Sequence, residues 1–114
     1  MNLGNQKNIA GGKFLFIAMN RFKIIPGQEE AFEKVWKDRD THLNGVVGFQ
    51  TFNLIKGARA EYYTLYASHT VWNSKECFEG WTKSPAFQQA HKNAGKNNHL
   101  YLAHPNFEGF EVIL

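Results

Sequence analysis

From Phe14 to Lys23 the chain reads FLFIAMNRFK, and a two-residue period sets Phe14, Phe16, Ala18, Asn20 and Phe22 on one side of a strand. Leu15, Ile17, Met19, Arg21 and Lys23 fall on the other side. Both sides are largely apolar, so this strand is expected to be covered on both. Pro26-Gly27 ends it. From Gln28 to Asp38 the spacing turns helical, with Ala31, Phe32, Val35 and Trp36 in an apolar stripe and charges opposite. A looser stretch through His42 and Asn44-Gly45 leads to a second strand, Val47 to Ile55. Gly57 marks a turn, and Glu61 to His69 forms a third strand that pairs with the second as a hairpin.

Ser74 is placed to cap the next helix, and Glu76 complements the helix dipole in its first turn. Phe78 and Trp81 share a side of that helix. Ser84-Pro85 breaks it and starts another, with Ser84 as cap and Pro85 in the first helical position. There Phe87 and His91 stand four apart on one face, and Gly95 is the stop. A polar stretch, Lys96 to His104, gives way to a last strand, Phe107 to Leu114. The order strand, helix, strand, strand, helix, strand predicts a ferredoxin-like α+β domain over residues 14–114. Such a domain is a split βαβ antiparallel sheet with helices on one face. The apolar second face predicts a homodimer that covers it. Residues 1–13, polar and without period, are read as a flexible tail outside the fold.

Composition narrows the function. The chain has 114 residues, the size of one domain, and 15% are aromatic, ten of them Phe, which is enough flat side chain to wall a pocket. Its net charge of +3 is compatible with an anionic ligand. No basic run interleaves with aromatics and no nucleic-acid-binding pattern is present, so nucleic acid is not the expected partner. One cysteine, Cys77, permits no internal disulfide. Neither a leader-like apolar region nor a run of 18 apolar residues is found, so no membrane association is expected and the cytoplasm is the default compartment.

The five histidines, His42, His69, His91, His99 and His104, show no H-x-x-x-H or H-E-x-x-H spacing. No nucleophile elbow, phosphate-cradling glycine loop, or flavin or nicotinamide signature is found. Read singly, His91 is a histidine near a helix end and Trp81 a core residue. Asn20 stands out. It lies among Phe16, Ala18 and Phe22, where a poor strand former must find hydrogen-bond partners or face a cavity.

Two segments carry a resemblance: Ala18 to Arg21 (AMNR) and Val71 to Lys92 (VWNSKECFEGWTKSPAFQQAHK). Together they resemble the IsdG-type haem-degrading monooxygenases of the antibiotic-biosynthesis-monooxygenase superfamily, whose fold is a dimeric α+β barrel. The family's strand asparagine, its tryptophan and the histidine ten residues later correspond to Asn20, Trp81 and His91. The resemblance implies that His91 binds haem iron on the proximal side and that Asn20 donates a hydrogen bond on the distal side, where O2 reacts. It implies that Trp81 presses on the porphyrin. Haem would be both substrate and cofactor, cleaved with O2 to release iron and a linear tetrapyrrole. Electrons would come from an external donor, a separate reductase. Phe78 and Phe87 are candidate pocket walls. Arg21, Lys92 and Lys96 are candidates for the haem propionates. The loop Gly95 to His104 is a candidate lid, and its His99 and His104 are rival ligands. Two other functions stay open: a cofactor-independent monooxygenase acting on an aromatic polyketide-like substrate, and a non-catalytic haem-binding protein.

Overall fold

Four antiparallel strands form the main sheet of the computed structural model, which describes residues 7–10 and 13–114, with side chains from Phe14 onward. In chain order the elements are β1 (Lys7–Ala10), β2 (Lys13–Phe14), β3 (Phe16–Ile24), α1 (Glu29–Asp38), β4 (Phe49–Arg59), β5 (Thr64–Trp72), α2 (Lys75–Thr82), α3 (Pro85–His91) and β6 (Asn106–Glu111). The sheet order is β4-β5-β3-β6. Three helices and an antiparallel sheet in this order make the expected ferredoxin-like α+β fold. Of the tail expected over residues 1–13, residues 1–6, 11 and 12 lie outside the described residues, while β1 pairs antiparallel with β2.

All three helices stand over one sheet face. Across β3 and β5 that face carries, in register, Phe16 with Trp72, Ala18 with Thr70, Asn20 with Ser68, Phe22 with Tyr66, and Ile24 with Thr64. Its apolar residues form two separate clusters. One joins Phe16, Ala18 and Trp72 to Leu43 and to Trp81 of α2. The other joins Phe22, Ile24 and Tyr66 to Phe32 of α1 and to Leu100. Each fully buried side chain of this size contributes roughly 1.5–3 kcal/mol. Between the clusters lies the polar pair Asn20 and Ser68, and there the packing opens.

Local chemistry sets the helix starts. The Ser74 Oγ accepts from the Cys77 N–H at 3.2 Å, and the Ser84 Oγ accepts from the Phe87 N–H at 3.2 Å, with Pro85 opening α3. Gln28, ahead of α1, makes no such bond. Glu29 compensates: its carboxylate accepts from the Gly27 N–H and from the Thr64 hydroxyl, both at 2.8 Å, tying α1 to β5.

Strand limits differ from the expected ones: β5 is displaced about three residues along the chain, β6 ends at Glu111 rather than Leu114, and β4 differs at both ends. Gly57 lies inside β4, where the register slips between Lys56 and Arg59, and the chain reverses instead at Ala60 to Tyr63. Val47 is exposed in a turn ahead of β4, because Gly48 takes a φ of +80°. There an added Cβ would also lie 2.4 Å from the Cys77 sulfur. The sheet face away from the helices presents Ile17, Met19, Leu65 and Val71, half-buried, with Ile55 and Phe110 exposed. Arg21 and Glu108 form an ion pair of 3.2 Å at its margin.

Candidate functional site

A cavity of about 480 Å³ opens where the two core clusters part. Its floor is the sheet row Ala18, Asn20, Ser68 and Thr70. These are small or polar side chains, and they do not fill the space beneath the helices. Thr70 donates to the Ala18 carbonyl at 3.2 Å and accepts from the Trp72 indole N–H at 2.8 Å, so the floor is pinned across β3 and β5.

Asn20 answers the question its position posed. Its side chain lines the cavity, and among the described residues no buried polar side-chain atom is left without a partner. Trp81 is 6% exposed and belongs to a wall: it lies edge-to-face on Phe87 and tilted against Trp72, with centroids 5.5 and 6.2 Å apart. His91, the last residue of α3, also lines the cavity although it is exposed. Its ring stacks on that of Phe87 at 4.0 Å. Its Nδ1 lies 2.9 Å from the Phe87 carbonyl oxygen. A carbonyl oxygen can only accept, so in the neutral imidazole Nδ1 carries the proton and Nε2 keeps a lone pair. Phe78 and Phe87 line the same space.

Other candidates fall elsewhere. Arg21 faces the opposite side of β3, as the two-residue period requires once Asn20 faces inward, and it pairs with Glu108. Lys92 and Lys96 are exposed beyond α3 and do not line the cavity. Neither do His99 and His104. The candidate lid, Gly95 to His104, does not line the cavity, and its Leu100 to Leu102 part is tied along the end of β3. Ile25 donates to the Leu100 carbonyl at 2.9 Å, Leu102 donates to the Lys23 carbonyl at 2.8 Å, and Leu100 is 2% exposed.

Several lining residues had no sequence signal. Arg39, just past α1, has the only fixed charge among the described lining residues, and its guanidinium lies 4.5 Å over the Trp36 ring. Trp36 is stacked on Phe52 at 5.6 Å, and both line the cavity. The ring of Phe107, on β6, lies parallel to that of Phe78 at 5.5 Å. Leucines and aromatics of this kind read as core, and only the gap at Asn20 and Ser68 turns them into walls. A second, more open groove between α1 and β4 shares Trp36 and Phe52 with the cavity but is lined by Glu30, Glu33, Lys34, Lys37 and Lys56.

Residues 15–93 match the family model described as antibiotic biosynthesis monooxygenase. The chain belongs to that family. A heme-degrading monooxygenase of Bacillus mycoides is 36% identical over 85 residues, covering 71% of this chain and 75% of that protein. One from Bacillus thuringiensis subsp. konkukian is 33% identical over the same shares. Among solved structures, a putative antibiotic biosynthesis monooxygenase from Bacillus cereus superposes with a TM-score of 0.72 at 12% identity, covering 89% of this chain and 93% of that one. The heme-degrader MhuD from Mycobacterium tuberculosis, solved with two hemes bound in its active site, gives 0.60 at 24% identity, over 86% and 96%. Similarity at that level carries the family's fold. The site here rests on the residues of the cavity itself.

Proposed function

We propose that the cavity binds haem and that this family member degrades it, using O2 and electrons from an external donor to release iron and a linear tetrapyrrole. The observation that carries this reading is the Nδ1–H of His91 held by the Phe87 carbonyl, which leaves Nε2 as a free imidazole lone pair on a cavity that also presents Asn20. Among the described residues no three His, Cys, Asp or Glu side chains lie close enough to hold a metal ion. A single imidazole suits an iron that brings its four equatorial nitrogens with it.

The remaining residues fit the same ligand. Phe52, Phe78, Trp81, Phe87 and Phe107 offer flat apolar walls to a macrocycle. The guanidinium of Arg39 offers a bidentate partner for a carboxylate, the role expected of Arg21, Lys92 and Lys96. The amide of Asn20 donates a hydrogen bond from the floor and keeps its charge state at any working pH. Trp81, rigid within its cluster, resists a flat porphyrin pressed against it. Bound haem supplies the oxygen chemistry; the protein ligates, shapes the site and excludes water. A second copy of the chain packed on the Ile17, Met19 and Val71 face completes the reading as a homodimer. The described helices include none long and apolar enough to cross a membrane.

The test is a haem titration followed by a chemical reductant in air with catalase present. A Soret complex that forms and then bleaches, with iron and a linear tetrapyrrole released, supports the proposal. Absence of a complex, or a complex that does not bleach, overturns it.

A further inference from the structure

Phe107 is 52% exposed and its ring lines the cavity. It stands on β6, at the sheet edge, directly opposite Asn20 on β3. In such antiparallel pairs the Cβ atoms sit about 4.5–5.5 Å apart, so ring and amide leave the sheet side by side. Part of the ring lies parallel to that of Phe78 at 5.5 Å with an interplanar angle of 8°, and the ring lines the cavity. Phe78 in turn packs on Phe16 and Trp72, so the stack is anchored in the core.

The backbone beneath this ring is equally constrained. Gly109, two residues on and facing the same way, passes so close to Phe16 that an added Cβ would lie 2.6 Å from its ring. Only a hydrogen at Gly109 leaves room for the Phe16 ring beside that of Phe107. A large, half-exposed ring in register with Asn20, the one amide among the described lining residues, is placed to touch whatever Asn20 touches.

We propose that Phe107 is the specificity-determining wall of the site, its ring setting the in-plane rotation of a flat macrocyclic ligand over Asn20. This rests on the haem reading above. The ring bears on one edge of the macrocycle, and so selects which meso carbon lies nearest the amide and which tetrapyrrole isomer is released. No bond to Phe107 forms or breaks.

The test compares wild type with Phe107→Leu and Phe107→Ala by haem titration, chromatographic separation of the tetrapyrrole isomers and thermal unfolding. We expect Phe107→Ala to loosen haem by about tenfold, the size of one lost aromatic contact, and to redistribute the isomers, with Phe107→Leu intermediate. Metal-free protoporphyrin IX, which no histidine can ligate, loosens by a similar factor when followed by tryptophan quenching. If the variants bind haem as wild type does and give the wild-type isomers, the proposal is overturned, whatever their melting temperatures. Phe107→Leu keeps the test open should the alanine variant fail to fold. A wild-type protein that binds no haem overturns the functional reading and this inference together. A wild type that binds and turns over haem beside unchanged variants overturns this one alone.

Discussion

The Nδ1–H of His91 donates to the carbonyl of Phe87, 2.9 Å away and one turn earlier in α3. That carbonyl, which can only accept, thereby selects the tautomer of the neutral imidazole. Because His91 is exposed, His91→Ala leaves stability within about 0.5 kcal/mol of wild type. Haem affinity falls by roughly 100-fold or more, since the loss of a direct ligand exceeds that of a supporting group. Calorimetry and a Soret titration on the same variant check both halves. A wild-type spectrum in His91→Ala would remove His91 as the ligand.

Asn20 separates binding from turnover. The walls and the imidazole remain in Asn20→Ala, so a haem complex forms at near wild-type affinity, while bleaching under reductant slows by at least tenfold. Asn20→Leu sharpens the test. An apolar side chain suits a strand row of Phe16, Ala18 and Phe22 better than an amide, so this variant melts no lower than wild type yet turns over no haem. Unimpaired turnover in Asn20→Leu would remove the amide from the chemistry.

Trp81 is structural as well as functional, and its variants must be read accordingly. It lies in the cluster with Phe16, Leu43 and Trp72, so Trp81→Ala costs about 3–5 kcal/mol, enough to unfold much of a domain this size. Trp81→Phe keeps most of the contact area and is expected to fold. A changed Soret position or isomer ratio in that variant, with a modest loss of melting temperature, is the outcome a pocket wall predicts. Spectra and products identical to wild type would confine Trp81 to the core.

Acid stability reports on the tie between α1 and β5. The hydroxyl of Thr64 holds the Glu29 carboxyl below its ordinary value, with further help from the backbone N–H groups of Glu29 and Gly27 and from Arg59. A carboxyl lowered in the folded state adds stability above its unfolded pKa, near 4.3, and loses it as pH falls through the lower folded value. Thr64→Val removes the largest cause. Its acid unfolding is therefore expected to begin at a higher pH than in wild type, with Glu29→Gln behaving alike. Superimposable acid limbs in a circular-dichroism titration would contradict this.

What the sequence by itself determined is local. The two-residue period of Phe14 to Phe22, the helical stripe of α1 and the Ser74 and Ser84 caps specify elements through contacts only a few residues long. Those elements formed within a few residues of the expected limits. Asn20 was legible for the same reason, a polar group in an apolar row. Phe78 and Phe87 were legible only through the family resemblance and their helix faces. Tertiary structure decided everything that depends on two elements meeting. It put Arg39 and not Arg21 beside the cavity, because β3 turns Arg21 to the opposite sheet face, where it pairs with Glu108. It laid Leu100 to Leu102 along the end of β3, where Leu100 is buried. It made walls of Phe52 and Phe107 by leaving Asn20 and Ser68 unfilled between two cores. A gap belongs to no single residue, so no reading along the chain contains it.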